Sequence, residues 1–160
     1  MSKQEGITLL EMLIVLSILG LLTAVAMPTY AAWRENAHYK EAARSIASAL
    51  REARIMAISR NLECRVDFDV DEGRYRVMQG DMAYGSTTFT TVRRGWVEVS
   101  EVVILKGNDT CDSSADLSIQ FNPNGTGNSR YICVMDNSAS PVLKYKVAVK
   151  SSTTGRVVIE

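Results

Sequence analysis

The chain has 160 residues, of which 46% are hydrophobic, and its 18 basic and 18 acidic side chains balance to a formal net charge of zero at pH 7. This neutrality excludes a protein that attracts nucleic acid through its net charge. Once an N-terminal helix of about 50 residues is set aside, roughly 100 residues remain, which suffice for one small domain with its own hydrophobic core.

The first predicted element is an apolar helix over Ile7–Met27, in which Glu11 is the one charged residue. At about 1.5 Å per residue, this run crosses most of a hydrocarbon core about 30 Å thick. A carboxylate in such a span costs a few kcal/mol unless it has a partner, so it indicates a functional site. The helix itself offers Glu11 no cation within reach. An amine released by cleavage between Gly6 and Ile7 is the nearest candidate.

The segment Gly6–Leu13, with the apolar residues after it, resembles the prepilin signature of type IV pilins and type II secretion pseudopilins. The resemblance implies that a prepilin peptidase cuts between Gly6 and Ile7 and methylates the new amine of Ile7, where the family usually has Phe. It also implies that Glu11 pairs with the N-terminal amine of a neighbouring subunit. The chain would first lie in inner-membrane lipid with a periplasmic head, and then join a pilus or pseudopilus through an inner-membrane assembly platform.

Two simpler interpretations of the apolar run are a secretory signal peptide and a plain membrane anchor. Ala24–Ala26 is similar to the cleavage site of a secretory signal peptide, but Met1–Gly6 carries one Lys and one Glu and is barely basic. A plain membrane anchor gives no reason for Glu11. The prepilin interpretation accounts for the carboxylate, so it is the one we favour.

The helix is predicted to continue beyond the apolar run to Arg60. Pro28 removes a backbone donor and should kink the helix rather than end it, because apolar spacing resumes after it. One apolar stripe at three- and four-residue steps is formed by Ala43, Ile46, Ala47, Leu50, Ala53 and Ala57. The predicted domains are a leader (1–6), a transmembrane or filament-core half of the helix (7–32), an amphipathic half (33–61) and a β-rich head (62–160).

From Asn61 the apolar period changes from helical to alternating, which predicts a half-buried strand over residues 62–70, a turn at 71–73 and a return strand at 75–79. Later strands are predicted at Thr87–Val92, Val97–Leu105, Leu117–Phe121, Arg130–Met135, Leu143–Val149 and Arg156–Ile159. A long helix, hydrophobic and then amphipathic, followed by seven or eight strands predicts an α+β fold. In it, the helix packs on a small antiparallel β-sheet head.

Three later segments resemble landmarks of the GspH/FimT family of minor pseudopilins and pilins. Arg51–Asn61 resembles the end of the family's long helix, Phe121–Gly127 its Phe-and-Gly turn, and Thr154–Val157 its C-terminal Gly-Arg strand. The resemblance implies a priming or tip subunit of a type IV pilus or a type II secretion pseudopilus. Its partners would be other pilin or pseudopilin subunits, and it would not be an enzyme.

DNA uptake is the alternative function. Some FimT-type members are DNA receptors with a basic C-terminal Gly-Arg-x-Arg motif, but here Val158 stands where the second Arg would be. Three lysines share strand parity near the C-terminus, and clustered cations bind phosphate. The other interpretation of the same residues is an ordinary solvated strand face. The candidate DNA contacts are Lys144, Lys146, Lys150 and Arg156.

The sequence contains three cysteines, Cys64, Cys111 and Cys133. Cys64 shares the apolar face of its strand with Val66, so we expect a buried thiol. A head outside the cytoplasm favours disulfides, and of the three pairings that three cysteines allow we favour Cys111–Cys133. No Cys-x-x-Cys spacing is present and the acidic run 67–73 lacks the Gly and Glu of a calcium loop, so no metal or cofactor is predicted.

Overall fold

The computed structural model describes residues 8–91, 95–100, 103–150 and 153–160, without the side chains at positions 28, 29, 31 and 32. These residues form one helix, α1 (Leu9–Arg60), and nine strands. The strands are β1 (Cys64–Asp69), β2 (Arg74–Gly80), β3 (Phe89–Thr91), β4 (Val97–Glu98), β5 (Val103–Gly107), β6 (Leu117–Phe121), β7 (Tyr131–Asp136), β8 (Leu143–Val149) and β9 (Val157–Ile159). A long helix followed by antiparallel strands confirms the predicted α+β class.

The chain divides into two compact units, Met1–Ala37 and His38–Glu160. In the first unit, Leu9–Met27 is a helical stretch of 19 residues that is long and apolar enough to cross a membrane, judged by length and composition. None of this stretch is buried in the isolated chain. Its apolar surface is therefore available to lipid or to other helices.

In the second unit, one face of α1 is buried. Each residue of the predicted apolar stripe is at most 1% exposed, namely Ala43, Ile46, Ala47, Leu50, Ala53 and Ala57. Four of these six are alanines, which favour the helix and leave room for close packing. The helix ends at Arg60, and Asn61 takes a left-handed φ of 53°, a common way for a helix to stop.

The first sheet has the strand order β3-β2-β1-β6, with β4 also paired to β2. β1 and β2 form an antiparallel hairpin that closes between Asp69 and Arg74. Gly73 in its turn has a φ of +61°, a conformation that side chains disfavour. The inward residues Cys64, Val66 and Phe68 are buried as predicted, but Glu63 and Asp67, which the alternation placed on the outward face, are buried as well.

The second sheet has the order β5-β7-β8-β9 and is antiparallel throughout. The prediction of one strand over Val97–Leu105 was wrong, because β4 belongs to the first sheet and β5 to the second. The amide of Val99 still bonds to the Gly73 carbonyl in the first sheet's hairpin, whereas the amide of Val103 bonds back to Ser100. An apolar pattern alone does not reveal that the chain changes sheets at this turn.

The helix and both sheets share one hydrophobic core. Phe68 and Phe121 from the first sheet and Leu105 and Ile132 from the second are at most 1% exposed. All four belong to the same buried cluster as Leu50 of α1. The second unit therefore holds the C-terminal part of α1 and its two sheets as one packed body.

Candidate functional site

Glu11 lies in the first turn of α1, four residues after Ile7 of the predicted cleavage pair. Its backbone N–H donates a hydrogen bond of 3.2 Å to the Oγ1 of Thr8, which caps the helix. Thr8 and Glu11 also have the spacing of a capping box. Gly6 and Ile7 lie outside the described residues. The cap explains why the helix starts at Leu9 and holds the Glu11 carboxylate, which is exposed in the isolated chain, within one turn of the helix start.

Polar groups farther along the apolar stretch are satisfied within the helix. The Ser17 hydroxyl donates to the Leu13 carbonyl at 2.8 Å, and the Thr23 hydroxyl donates to the Leu19 carbonyl at 2.9 Å. Such back-bonding removes the need for an outside partner in lipid. Glu11 differs from these residues, because a carboxylate has no proton to donate to a helix carbonyl. Pro28 lies within α1, and the kink at that position stays a prediction.

Near the C-terminal end of α1, the Arg54 guanidinium connects the helix to two glycine turns. Its Nε–H donates to the Gly125 carbonyl at 3.1 Å. A Cβ on Gly125 would lie 3.3 Å from an Nη of Arg54, and a Cβ on Gly155 would lie 3.2 Å from its Nε. Both glycines have left-handed φ values, +79° and +57°. The guanidinium therefore lies against two backbones that only glycine allows to come so close.

Arg54 also brings together the three segments singled out in the sequence. It belongs to the helix end Arg51–Asn61, Gly125 to the turn Phe121–Gly127 and Gly155 to the strand entry Thr154–Val157. Arg54 and Gly125 are 71 residues apart in the chain, and Gly155 lies about 30 residues beyond Gly125, yet the three segments meet at one guanidinium. Their joint occurrence in the sequence thus has a structural cause.

A cavity of about 320 Å³ opens at this place, and three arginines line it. Its lining residues are Arg51, Arg54, Ile55, Gly155, Arg156 and Val157, and no carboxylate is among them. Arg51 and Arg156 are exposed, whereas Arg54 is half-buried. The sequence analysis did not single out Arg51 and Arg54 for their charge, although their spacing of three residues puts them on one helix face.

The three predicted DNA-contacting lysines are each paired with a carboxylate. Lys144 Nζ lies 3.1 Å from Asp136 Oδ2, and Lys150 forms an ion pair with Glu160. Lys146 pairs with Asp109 and donates to its backbone carbonyl at 2.6 Å. These carboxylates offset the positive charge of the lysine group, whereas Arg156 lies at the arginine cavity. DNA contact by these four residues stays a prediction.

The predicted disulfide between Cys111 and Cys133 is confirmed, with its Cα atoms 5.7 Å apart. It ties a loop, in which Asn108 and Cys111 have positive φ values, to β7. Cys64 is a free and buried thiol, as predicted, and burial raises its pKa.

The acidic run 67–73 is occupied by ion pairs and turn hydrogen bonds. The buried Asp67 accepts from the Ser118 hydroxyl at 2.8 Å and pairs with Arg65 at 2.8 Å. The N–H of Glu72 donates to Asp69, which lowers the pKa of that carboxyl, and Arg74 lowers it further. Within the described residues, no group of three His, Cys, Asp or Glu side chains is arranged to hold a metal ion.

Two family models match the chain. The model described as "Type II transport protein GspH" matches residues 42–155, which include α1 from its buried stripe onward and most of both sheets. The model described as "Prokaryotic N-terminal methylation motif" matches residues 1–27, which include the predicted cleavage pair and Glu11. No curated protein sequence matches the chain.

Solved structures have the same fold. The chain is similar to the minor pseudopilin EpsH from the type 2 secretion system of Vibrio cholerae, with a TM-score of 0.59 and 15% identity over 76% of this chain and 94% of that one. It is also similar to the type IV minor pilin FimU of Pseudomonas aeruginosa strain PAO1, with a TM-score of 0.56 and 18% identity over 80% of this chain and 92% of that one. At these identities the likeness establishes the fold alone.

Proposed function

The chain belongs to the GspH family, and from this membership we infer that it is a minor pilin or pseudopilin subunit that is processed, anchored in the inner membrane and assembled as a priming or tip subunit. Family members are structural subunits of type II secretion pseudopili or type IV pili, which assemble with other such subunits. The proposed domains, in chain order, are a leader (1–6), a transmembrane or filament-core half of the helix (7–32), an amphipathic half of the helix (33–61) and a head (62–160).

The observation that carries the proposal is the position of Glu11. It is a charged side chain in the first turn of a helix whose next 16 residues, through Met27, are exposed and long enough with it to enter a bilayer. A carboxylate at that depth requires a partner. Hydrolysis of the Gly6–Ile7 bond by a prepilin peptidase releases the leader and leaves an amine at Ile7, which the same enzyme methylates. That amine supplies the missing positive charge.

The pairing acts between subunits. As the subunit leaves inner-membrane lipid at the assembly platform, the Glu11 carboxylate meets the N-terminal amine of a neighbour within the bundle of apolar helices. Away from water, an unpaired charge is far more costly than a paired one, so a subunit that is out of register is disfavoured. Glu11 would therefore set the register of assembly as well as stabilise it.

Two variants of the full chain test this proposal in cells that make the filament. Gly6→Ala should remain uncleaved, so that the intact mass keeps the leader; a mass without the leader would contradict the processing step. Glu11→Leu should be cleaved and recovered with the membrane, but depleted from sheared filaments. Ser17→Leu is the matched control, because it makes the same apolar stretch more apolar without removing a charge. Filament levels of Glu11→Leu equal to those of Ser17→Leu would overturn the pairing.

A further inference from the structure

The arginine cavity, defined by Arg51, Arg54 and Arg156, has no role in the processing and pairing described above. We propose that it is a carboxylate-binding site that receives an acidic segment of a neighbouring filament subunit. The inference rests on the proposed function, because it requires the chain to assemble with other subunits. It adds a second contact, located where the amphipathic half of α1 meets the entry to β9 rather than in the apolar half of the helix.

Charge is the first argument. Three guanidinium groups surround a space of about 320 Å³, and none of the residues that line it is acidic. Cations placed around a concavity repel one another while it is empty. They attract an anion, whose binding relieves that repulsion. Guanidinium groups also match carboxylates in shape, because their planar fork donates two parallel hydrogen bonds.

Pre-organisation is the second argument. Arg54 is held in place before any ligand arrives, since its Nε–H bonds to Gly125 at 3.1 Å and the backbone of Gly155 lies against it. A side chain that is already ordered loses little entropy on binding. Arg51 and Arg156 line the same cavity and are exposed, so a carboxylate that enters from solvent can reach them.

The rest of the lining favours a protein over a nucleic acid. Ile55 is 65% exposed next to Arg51, and Val157 adds a second apolar side chain to the wall. Arginine beside exposed apolar surface is typical of the core of protein interfaces. Duplex DNA instead needs cations spread along several phosphates. Lys144, Lys146 and Lys150 do not extend the cavity's charge in that way, because each is paired with a carboxylate.

Direct binding is measured on the full chain in non-ionic detergent micelles. A fluorescein-labelled hexaglutamate peptide is titrated at low salt and followed by anisotropy, and a labelled 12-base-pair duplex is titrated in parallel. We expect the peptide to bind and the double variant R51Q/R156Q to bind it at least tenfold more weakly. The matched control K40Q/R44Q removes two exposed cations of the same helix that do not line the cavity, and it should bind like the wild type.

Each outcome decides the proposal. Peptide binding lost in R51Q/R156Q and kept in K40Q/R44Q supports it. Absence of peptide binding, equal loss in both double variants, or duplex binding that depends on Arg51 and Arg156 without peptide binding overturns it. In cells, R51Q/R156Q should be processed normally yet be depleted from sheared filaments. If only this inference is wrong, Gly6→Ala and Glu11→Leu still behave as expected above. If the proposed function is wrong, those two variants do not show the expected loss of cleavage and of filament assembly.

Discussion

The backbone of Gly155 lies against the carbonyl of Gly125 so closely that a Cβ on Gly155 would overlap that oxygen. The contact joins the entry to β9 with the turn that follows β6, and Arg54 of α1 lies beside both glycines. Two sheets and the end of the helix are thus held at one point. Because the cavity proposed to bind a carboxylate is lined by Gly155 and Arg54, its geometry depends on this contact.

Gly155→Ala should lower the free energy of unfolding by about 3 kcal/mol, because the left-handed φ costs about 1 kcal/mol and the displaced Gly125 backbone adds more. The measurement is a urea titration of the full chain in detergent. Gly85→Ala is the matched control, since Gly85 has a φ of +70° but open space around its Cβ position. It should cost only about 1 kcal/mol. Equal effects of the two variants would contradict the role of the contact.

Cys111→Ser should destabilise the head by about 3 kcal/mol under non-reducing conditions, because the disulfide closes a separation of 22 residues in the unfolded chain. The readout is again the free energy of unfolding in urea. A reductant should lower the stability of the wild type to that of the variant and leave the variant unchanged. If reductant has no effect on the wild type, the bond does not contribute to stability.

Asp136→Asn should make the head less stable than the wild type near neutral pH. In acid, this difference in stability should disappear. The N–H of Val142, the hydroxyl of Ser138 and, to a smaller extent, Lys144 together lower the pKa of Asp136 to about 2. The folded pKa lies below the unfolded value of about 4, so the stabilisation is complete above that value and disappears as the pH falls towards 2. Thermal unfolding at pH 6, 4 and 2 should show the difference between wild type and variant shrinking.

The control for this experiment is Asp81→Asn, which changes an exposed carboxylate in the loop after β2. It should match the wild type at pH 6. A gap between Asp136→Asn and wild type that stays constant down to pH 2 would show that the carboxylate's charge does not provide the stabilisation.

Local periodicity made much of this fold predictable. The stripe around Ile46 and Leu50 repeats at helical spacing, and Cys64, Val66 and Phe68 alternate as a half-buried strand should. In both cases the spacing of the apolar residues shows which face of the element meets the core. That spacing can be recognised within a few neighbouring residues. The disulfide was predictable because Cys64 belonged to the core face, which left Cys111 and Cys133.

Long-range partners were not predictable in the same way. Nothing near Lys146 shows that Asp109, 37 residues earlier, lies against it, so lysines of one strand parity suggested a free cationic face. The split of Val97–Leu105 between two sheets has the same origin, since both halves are apolar. Arg51 and Arg54 drew no attention for a similar reason, because the Gly155 entry that completes their cavity is about 100 residues away.

The last prediction concerns the hydrogen bond between Ser45 on α1 and Tyr75 on β2, whose oxygens are 2.7 Å apart. Tyr75 is only 7% exposed, so its hydroxyl has little access to water as a substitute partner. Tyr75→Phe should therefore lower the free energy of unfolding by about 1 kcal/mol. Ser45→Ala should cost less, because Ala is the better helix former by about 0.5 kcal/mol and partly offsets the lost bond.

A double-mutant cycle removes that offset. The pair Ser45→Ala and Tyr75→Phe should show a coupling energy of about 1 kcal/mol in urea titrations of the full chain. Ser48→Ala combined with Tyr75→Phe is the matched control, because Ser48 is an exposed serine on the same helix. Its cycle should be additive. If both cycles are additive, then apolar packing alone holds α1 against β2, and the hydroxyl pair contributes nothing to the position of the helix.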